Sequence, residues 1–339
     1  MNSKARAVAA ANHGLLTRAQ ALDAGVSPAH IRQMLTSGEL VSVRHGVYAL
    51  GEVWDELDEF SGRPGLRTRA AVRTMRRAWV ASHDSSAHLQ RLPILNPPEP
   101  HVHITRPGFT GAWTKNGVKH HLARFSQDQV VEVDDLRLLD LARTAVDIAR
   151  EHGTPYGEIA CDSVLRRGVS RSALEAALAA MEHWPYVVRA RDAVAFADPG
   201  AESVVETLGR LLVACLGVDD METQFPVMLD DGRVLRGDIR VGCHLFEVHG
   251  KIKYLPVEQG GLAERPPTEV LWAEKKRERQ LHQQGLGTSS IIYEDYWLPR
   301  RQVLARMRSE YDDTVARFGS RLPEHLVRNA RELRGRRRA

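Results

Sequence analysis

Two alternating stretches meet at a single glycine, RVLRGDIRV (233–241) and HLFEVHGKIKY (244–254), and between them they leave little choice of local structure. In the first, Leu235, Gly237, Ile239 and Val241 fall on one side, and Val234, Arg236, Asp238 and Arg240 on the other. In the second, Phe246, Val248, Gly250, Ile252 and Tyr254 oppose Glu247, His249, Lys251 and Lys253. Period two over this length means strand, and the short link through Gly242 means an antiparallel hairpin. Such a hairpin sets Asp238 beside Glu247, with His249 or Lys251 nearby on one ionisable face. Two carboxylates and a nitrogen base can hold a hard divalent cation, which acidifies a bound water while an adjacent lysine stabilises a phosphodiester transition state. The flanking stretches extend the pattern. AESVVETLGRLLVACLG reads as an amphipathic helix with Val205, Leu208, Leu212 and Cys215 inward and Glu202 and Glu206 one turn apart. ETQFPV reads as a further strand.

A second organised region lies at the other end. Thr17 suits an N-cap and Gly25 a helix stop, while Ser27-Pro28 restarts a helix over 28–36 with Ile31, Met34 and Leu35 inward. His30, Arg32, Gln33 and Thr36 then point outward. LVSVRHGVYAL follows with a turn near Arg44-His45-Gly46, so the order is helix, turn, helix, hairpin: a winged helix-turn-helix. The second helix suits the major groove, with Gln33, His30 and Arg32 reading bases, and Arg44 and His45 touching the backbone or minor groove.

At 339 residues the chain exceeds one ordinary core. With 43% hydrophobic and 27% charged residues it has the composition of a soluble folded protein. Cys161, Cys215 and Cys243 lie far apart, which supports neither a disulfide framework nor a cysteine zinc site. No run approaches the ~18 apolar residues of a membrane span, so the expectation is a cytoplasmic protein. The net charge is only +4, but basic residues cluster in RTRAAVRTMRR, AEKKRER and RNARELRGRRRA, as expected of a partner of polyanions. The last of these has no apolar periodicity and is expected to be a flexible tail.

Between the two organised regions, a basic helix is expected over about 66–79 and a second one starting at Ser82 or Asp84. Strands follow at 101–107, 117–125 and 129–138, and a helix stopping at Gly153. His83, His88, His101, His103, His120 and His121 invite a zinc reading, but a zinc site needs three or four convergent ligands. Strand-face histidines are the simpler account. Trp184 is expected to be buried in a helical segment without chemistry.

The N-terminal stretch GLLTRAQALDAGVSPAHIRQMLTSGELVSVRHGVYAL resembles the winged-helix domain of antitoxin regulators of AbiE-type type IV toxin-antitoxin systems. The helix and strand order over 61–153 resembles their middle segment. That resemblance implies sequence-specific binding of double-stranded DNA, repression of the protein's own operon and a cognate toxin as partner. A homodimer is a further expectation.

Residues 201–297 resemble the PD-(D/E)XK nuclease superfamily, in the branch of very-short-patch repair endonucleases. The resemblance rests on a glutamate in a first helix, Asp238 and Glu247 on successive strands, and the spacing of Glu274, Arg277, Leu281 and Gly285. It implies Mg²⁺, or Mn²⁺, held by Asp238, Glu247 and Glu206, with His249 and Lys251 completing a catalytic set. Glu202, Lys253, Glu274 and Arg277 would be accessory. Where this branch carries aspartate in Glu-x-Asp-Gly, the chain has His249.

The fold class expected is therefore multidomain α/β: a winged helix-turn-helix over 1–60, a mixed α/β middle over 61–153, a helical connector over 154–200, a restriction-endonuclease-like α/β domain over 201–298, and a helix with basic tail over 299–339. Two functions are carried forward, a DNA-targeting protein that hydrolyses phosphodiesters in phage defence or repair, and a regulator whose nuclease-like domain is catalytically silent.

Overall fold

A computed structural model describes residues 1–73, 75, 79–109, 111–250 and 267–338. They form two compact units, Met1–Ala197 and Asp198–Ala339.

The first unit opens with a small module of helices and a three-stranded sheet. Helix α1 (Ser3–Ala10) leads to strand β1 (Leu15–Thr17), α2 (Arg18–Asp23), α3 (Pro28–Ser37), and the hairpin β2 (Leu40–Arg44) and β3 (Val47–Leu50). The caps expected of the sequence are present. Thr17 and Gln20 make a reciprocal capping box on α2, and the Ser27 hydroxyl accepts the His30 N–H at the start of α3 with Pro28 in its first turn. Gly25 and Gly38 take positive φ after α2 and α3. Ile31 and Met34 bury the inner face of α3 against Leu16, Ala21, Leu40 and Tyr48. The sheet order is β1-β3-β2, all antiparallel.

The chain continues through α4 (Gly51–Glu56), α5 (Gly62–Val72), β4 (Val80–Ala81), α6 (His83–Leu89), β5 (Val102–Arg106), β6 (Gly111–Lys115), β7 (Val118–Leu122), β8 (Val130–Val133) and β9 (Leu136–Leu139). Strands β4 to β9 build a six-stranded mixed sheet ordered β6-β7-β5-β4-β9-β8. The basic helix expected over 66–79 starts earlier, at Gly62, and its described part ends at Val72. The stretch expected as a single strand over 129–138 is the hairpin β8-β9, because Asp134 and Asp135 both adopt positive φ and reverse the chain.

Helices α7 (Leu141–His152), α8 (Tyr156–Arg166), α9 (Arg171–Ala179) and α10 (Val187–Phe196) close the unit. Residues 154–197 share one core with α7: Ala145, Val146, Cys161, Val164, Leu174 and Ala190 pack together. Trp184 is only half-buried, contrary to the expectation, and its ring lies against two guanidinium groups, those of Arg143 and Arg150, 5.1 and 4.9 Å from its centre.

The second unit is built on α11 (Val204–Ala214), β10 (Glu222–Met228), β11 (Val234–Val241), β12 (His244–His249), α12 (Pro267–Gln283), β13 (Gly287–Ile292), α13 (Arg300–Phe318) and α14 (Glu324–Arg338). The sheet runs β10-β11-β12-β13, with the first three antiparallel and β13 parallel to β12. A parallel pair needs a crossover, which α12 supplies. One face packs Ile239, Phe246 and Val248 on Leu212, Val303 and Met307, and the other packs Phe225, Leu245 and Leu281 on Leu326 and Ala330. Two sequence expectations need correction here. Cys215 is exposed, since it caps α11 rather than continuing its buried stripe. The basic terminus is helical through Arg338, because Leu326 and Ala330 anchor α14 on the sheet and Arg334 pairs with Glu222 at 2.6 Å.

Candidate functional site

Helix α3 carries the first candidate surface. With Ile31 and Met34 inward, helical period forces His30, Arg32, Gln33 and Thr36 outward, and all four are exposed. No acidic residue occurs from Ala24 to Gly38, so this face presents neutral polar groups and positive charge without a carboxylate. His45 is exposed at the turn between β2 and β3. Arg44 is different: it is half-buried and lines a cleft with Pro64, Arg67 and Asn116, and burial lowers its affinity for a proton. The hairpin therefore offers His45 outward and Arg44 inward.

The second candidate lies on the sheet of the second unit. The hairpin pairing Ile239 with Phe246 places Asp238 and Glu247 at neighbouring register positions. Asp238 and Glu247 line one cleft of about 580 Å³ together with His249, Glu274, Lys275 and Arg277. The Val248 N–H donates to Asp238 Oδ2 (2.8 Å), and Arg277 Nη2 donates to both Glu247 oxygens (3.0 and 3.1 Å) and to the Arg236 carbonyl. Arg277 reaches Glu247 because α12 crosses over the face on which Leu245 and Glu247 alternate with Phe246.

Glu206 belongs to the start of α11. Its carboxylate accepts N–H groups from Glu202 (2.8 Å) and Gln224 (3.1 Å) and the Ser203 hydroxyl (3.0 Å). Burial pushes its pKa above the ordinary carboxylate value, against the Glu202 hydrogen bond, and the nearby Asp238 charge adds to the rise. Glu202 meets Glu206 through its backbone and does not line the cleft. Lys251 and Lys253 lie outside the described residues.

The cleft holds hard oxygen donors, as Mg²⁺ or Mn²⁺ requires, but Arg277 occupies Glu247 and Asp238 Oδ2 accepts the Val248 N–H, while Glu206, held by Glu202, Gln224 and Ser203, does not line it. Among the described residues, the triads able to converge on one metal ion lie elsewhere, in the first unit. As arranged, Glu247 is satisfied by the guanidinium of Arg277. The sequence reading missed Arg306 and Glu310 of α13, which line the same cleft as an ion pair at 3.4 Å. Only the tertiary return of α13 to the sheet reveals them. The nearest sequence signal is their i,i+4 spacing on a helix.

Residues 3–51 match the family described as "Transcriptional regulator, AbiEi antitoxin". The chain is also similar to two Mycobacterium tuberculosis proteins, "Uncharacterized protein MT2308" of strain CDC 1551 / Oshkosh and "Uncharacterized protein Rv2248" of strain ATCC 25618 / H37Rv. Each is 35% identical over 98 residues, covering 29% of this chain. The chain spans 36% of the length of these relatives. The family match falls on α1 to β3, the module that carries the α3 surface, and bears out a DNA-binding regulator or antitoxin domain at the N-terminus. No helix of the described residues is long and apolar enough to cross a membrane.

Proposed function

We propose that the chain is a sequence-specific transcriptional regulator of the antitoxin type, which grips duplex DNA through α3 and the β2-β3 hairpin. The observation that carries this is the exposed, acid-free face of α3 within the module that matches the regulator family. With α3 in the major groove, Gln33 has the amide geometry to pair with an adenine edge, and Arg32 that for guanine or phosphate. His45 at the hairpin turn reaches the flanking backbone. The basic helix α14 and the AEKKRER stretch add salt-dependent, sequence-independent attraction. A protein toxin as partner, and a homodimer on a two-fold DNA site, follow from the same reading.

The test is selection of duplexes from a random pool by the full chain, followed by binding measurements on the enriched site. Gln33→Ala should lower affinity for that site by roughly 10-fold and relax the base preference, in line with about 1–3 kcal/mol for a bidentate base contact. An unchanged preference would remove Gln33 from the interface. Binding of the neighbouring operon product to the full chain tests the toxin reading, and sedimentation with and without the site tests the dimer.

The convergence of Asp238, Glu247 and His249 in one cleft favours a second reading, hydrolysis of DNA phosphodiesters by the second unit in phage defence or repair. It requires Arg277 to leave Glu247 before Mg²⁺ binds. Mg²⁺-dependent nicking of supercoiled DNA by the wild type, lost in Asp238→Asn/Glu247→Gln, would support it. DNA binding without nicking would leave the cleft as a catalytically silent part of a regulator.

A further inference from the structure

Neither surface above uses a group of buried ionisable side chains in the first unit. Asp84, at the start of α6, is 2% exposed, and His103, on β5, is 2% exposed. His152, at the end of α7, completes the group. Asp84 Oδ2 lies 2.9 Å from His152 Nε2 and 3.6 Å from His103 Nε2, and one ligand atom from each of the three lies within 4.8 Å of the others. The edges of a tetrahedral site with N and O donors at 2.0–2.1 Å are roughly 3.3 Å, so the two measured edges straddle that value. Three elements distant in sequence deliver these atoms, which is why spacing along the chain did not disclose them.

We propose that Asp84, His103 and His152 bind a single divalent cation of the zinc class, with a fourth coordination position facing the adjacent cleft. Two nitrogens and a carboxylate oxygen with one position open is a ligand set used where the metal exchanges water or takes a further ligand. The next layer of contacts suits the arrangement. His103 Nδ1 lies 3.0 Å from His121 Nε2, so when Nε2 faces the cation the Nδ1–H donates to His121 and fixes the tautomer. His121 in turn stacks on His83 at 3.9 Å, and His83 Nδ1 lies 2.9 Å from the Ser82 hydroxyl. The backbone N–H of His103 donates to Ser85 Oγ (2.9 Å), which anchors β5 to α6 at this point.

A simple Asp84–His152 ion pair accounts for the 2.9 Å contact and leaves unexplained why His103 turns its Nε2 toward the same oxygen. An entry path exists as well: a cleft of about 460 Å³, lined by His101, His103, Thr114, Lys119, Glu151 and His152, reaches the group. Lys119 beside it is paired with Glu151, which leaves the open position to water.

The experiment uses the full chain, stripped with chelator and titrated with Zn²⁺ in competition with a chromophoric chelator, and with Co²⁺ as a spectroscopic probe. The expected result is about one metal per chain and the intense d–d absorption of four-coordinate cobalt. His152→Gln and His103→Gln should each weaken binding at least 10-fold, in line with loss of a direct ligand, whereas His120→Gln, whose ring stacks on Trp113 instead, should not. Long-range ¹H–¹⁵N spectra of the wild type need no variant to fold: Zn²⁺ should shift two histidine Nε2 resonances and leave Nδ1 of His103 protonated. Uptake unchanged in both triad variants, no histidine Nε2 shift in the wild type, or no saturable uptake by the wild type would each overturn the proposal.

Discussion

Arg277 on Glu247 shows how one side chain redirects a whole surface. A carboxylate pair at adjacent register positions reads as a cation site, yet a guanidinium delivered by α12 neutralises Glu247 through two hydrogen bonds. Spacing alone cannot distinguish a metal from an arginine, because both answer the same charge. Other residues have consequences for stability. A Cβ on Gly51 would sit 2.1 Å from the Gly38 carbonyl oxygen, an approach that backbone cannot relieve. Gly51→Ala should therefore cost about 1–3 kcal/mol and lower the thermal midpoint of the first unit, read by calorimetry. His244 is buried, with Nδ1 2.7 Å from the Thr314 hydroxyl and Nε2 2.9 Å from that of Ser289. Burial lowers its pKa from 6.5 to about 4. Below pH 6.5 the unfolded chain takes up a proton at this residue that the folded chain refuses, so stability falls as pH drops from about 6.5 toward 4. The loss is on the order of 3 kcal/mol. Urea midpoints across that range should show it, and His244→Gln should flatten part of the slope.

Local chemistry that ends or starts an element was legible in advance; contacts between elements were not. Thr17, Ser27-Pro28 and Gly25 fix the boundaries of α2 and α3 by capping and by positive φ, and those boundaries follow from residue type alone. Alternation placed the hairpin of β11 and β12, but Leu235 packs on the opposite face of the sheet from Ile239 and Val241, so the strict alternation expected along β11 does not hold. Strand β6, with all five residues exposed, carries no burial pattern and escaped notice. The clustering of Asp84, His103 and His152 depends on α6, β5 and α7 meeting, which periodicity does not encode. Thr17→Ala removes a reciprocal cap from α2, costs about 1 kcal/mol, and should weaken DNA binding only through the positioning of α3. Equal affinity with lower stability would separate the two helices' roles.

For the whole molecule, the division into two compact units suggests separate tasks. The first unit holds the α3 surface and the buried histidine group, and the second holds the acidic cleft and α14. A chain ending at Ala197 should keep its preference for the selected DNA site and show a shallower dependence on salt, because the basic AEKKRER stretch and α14 are gone. Arg32→Ala within the full chain should reduce the same salt slope by about one if Arg32 contacts phosphate. Most direct of all is the affinity of the full chain, wild type and Gln33→Ala, for a site enriched from random duplexes against a scrambled duplex of equal length, at fixed salt. The account predicts a preference of the wild type for the enriched site that Gln33→Ala largely abolishes while binding to the scrambled duplex persists. Failure to enrich any sequence, or a preference untouched by changes on the outer face of α3, would contradict it.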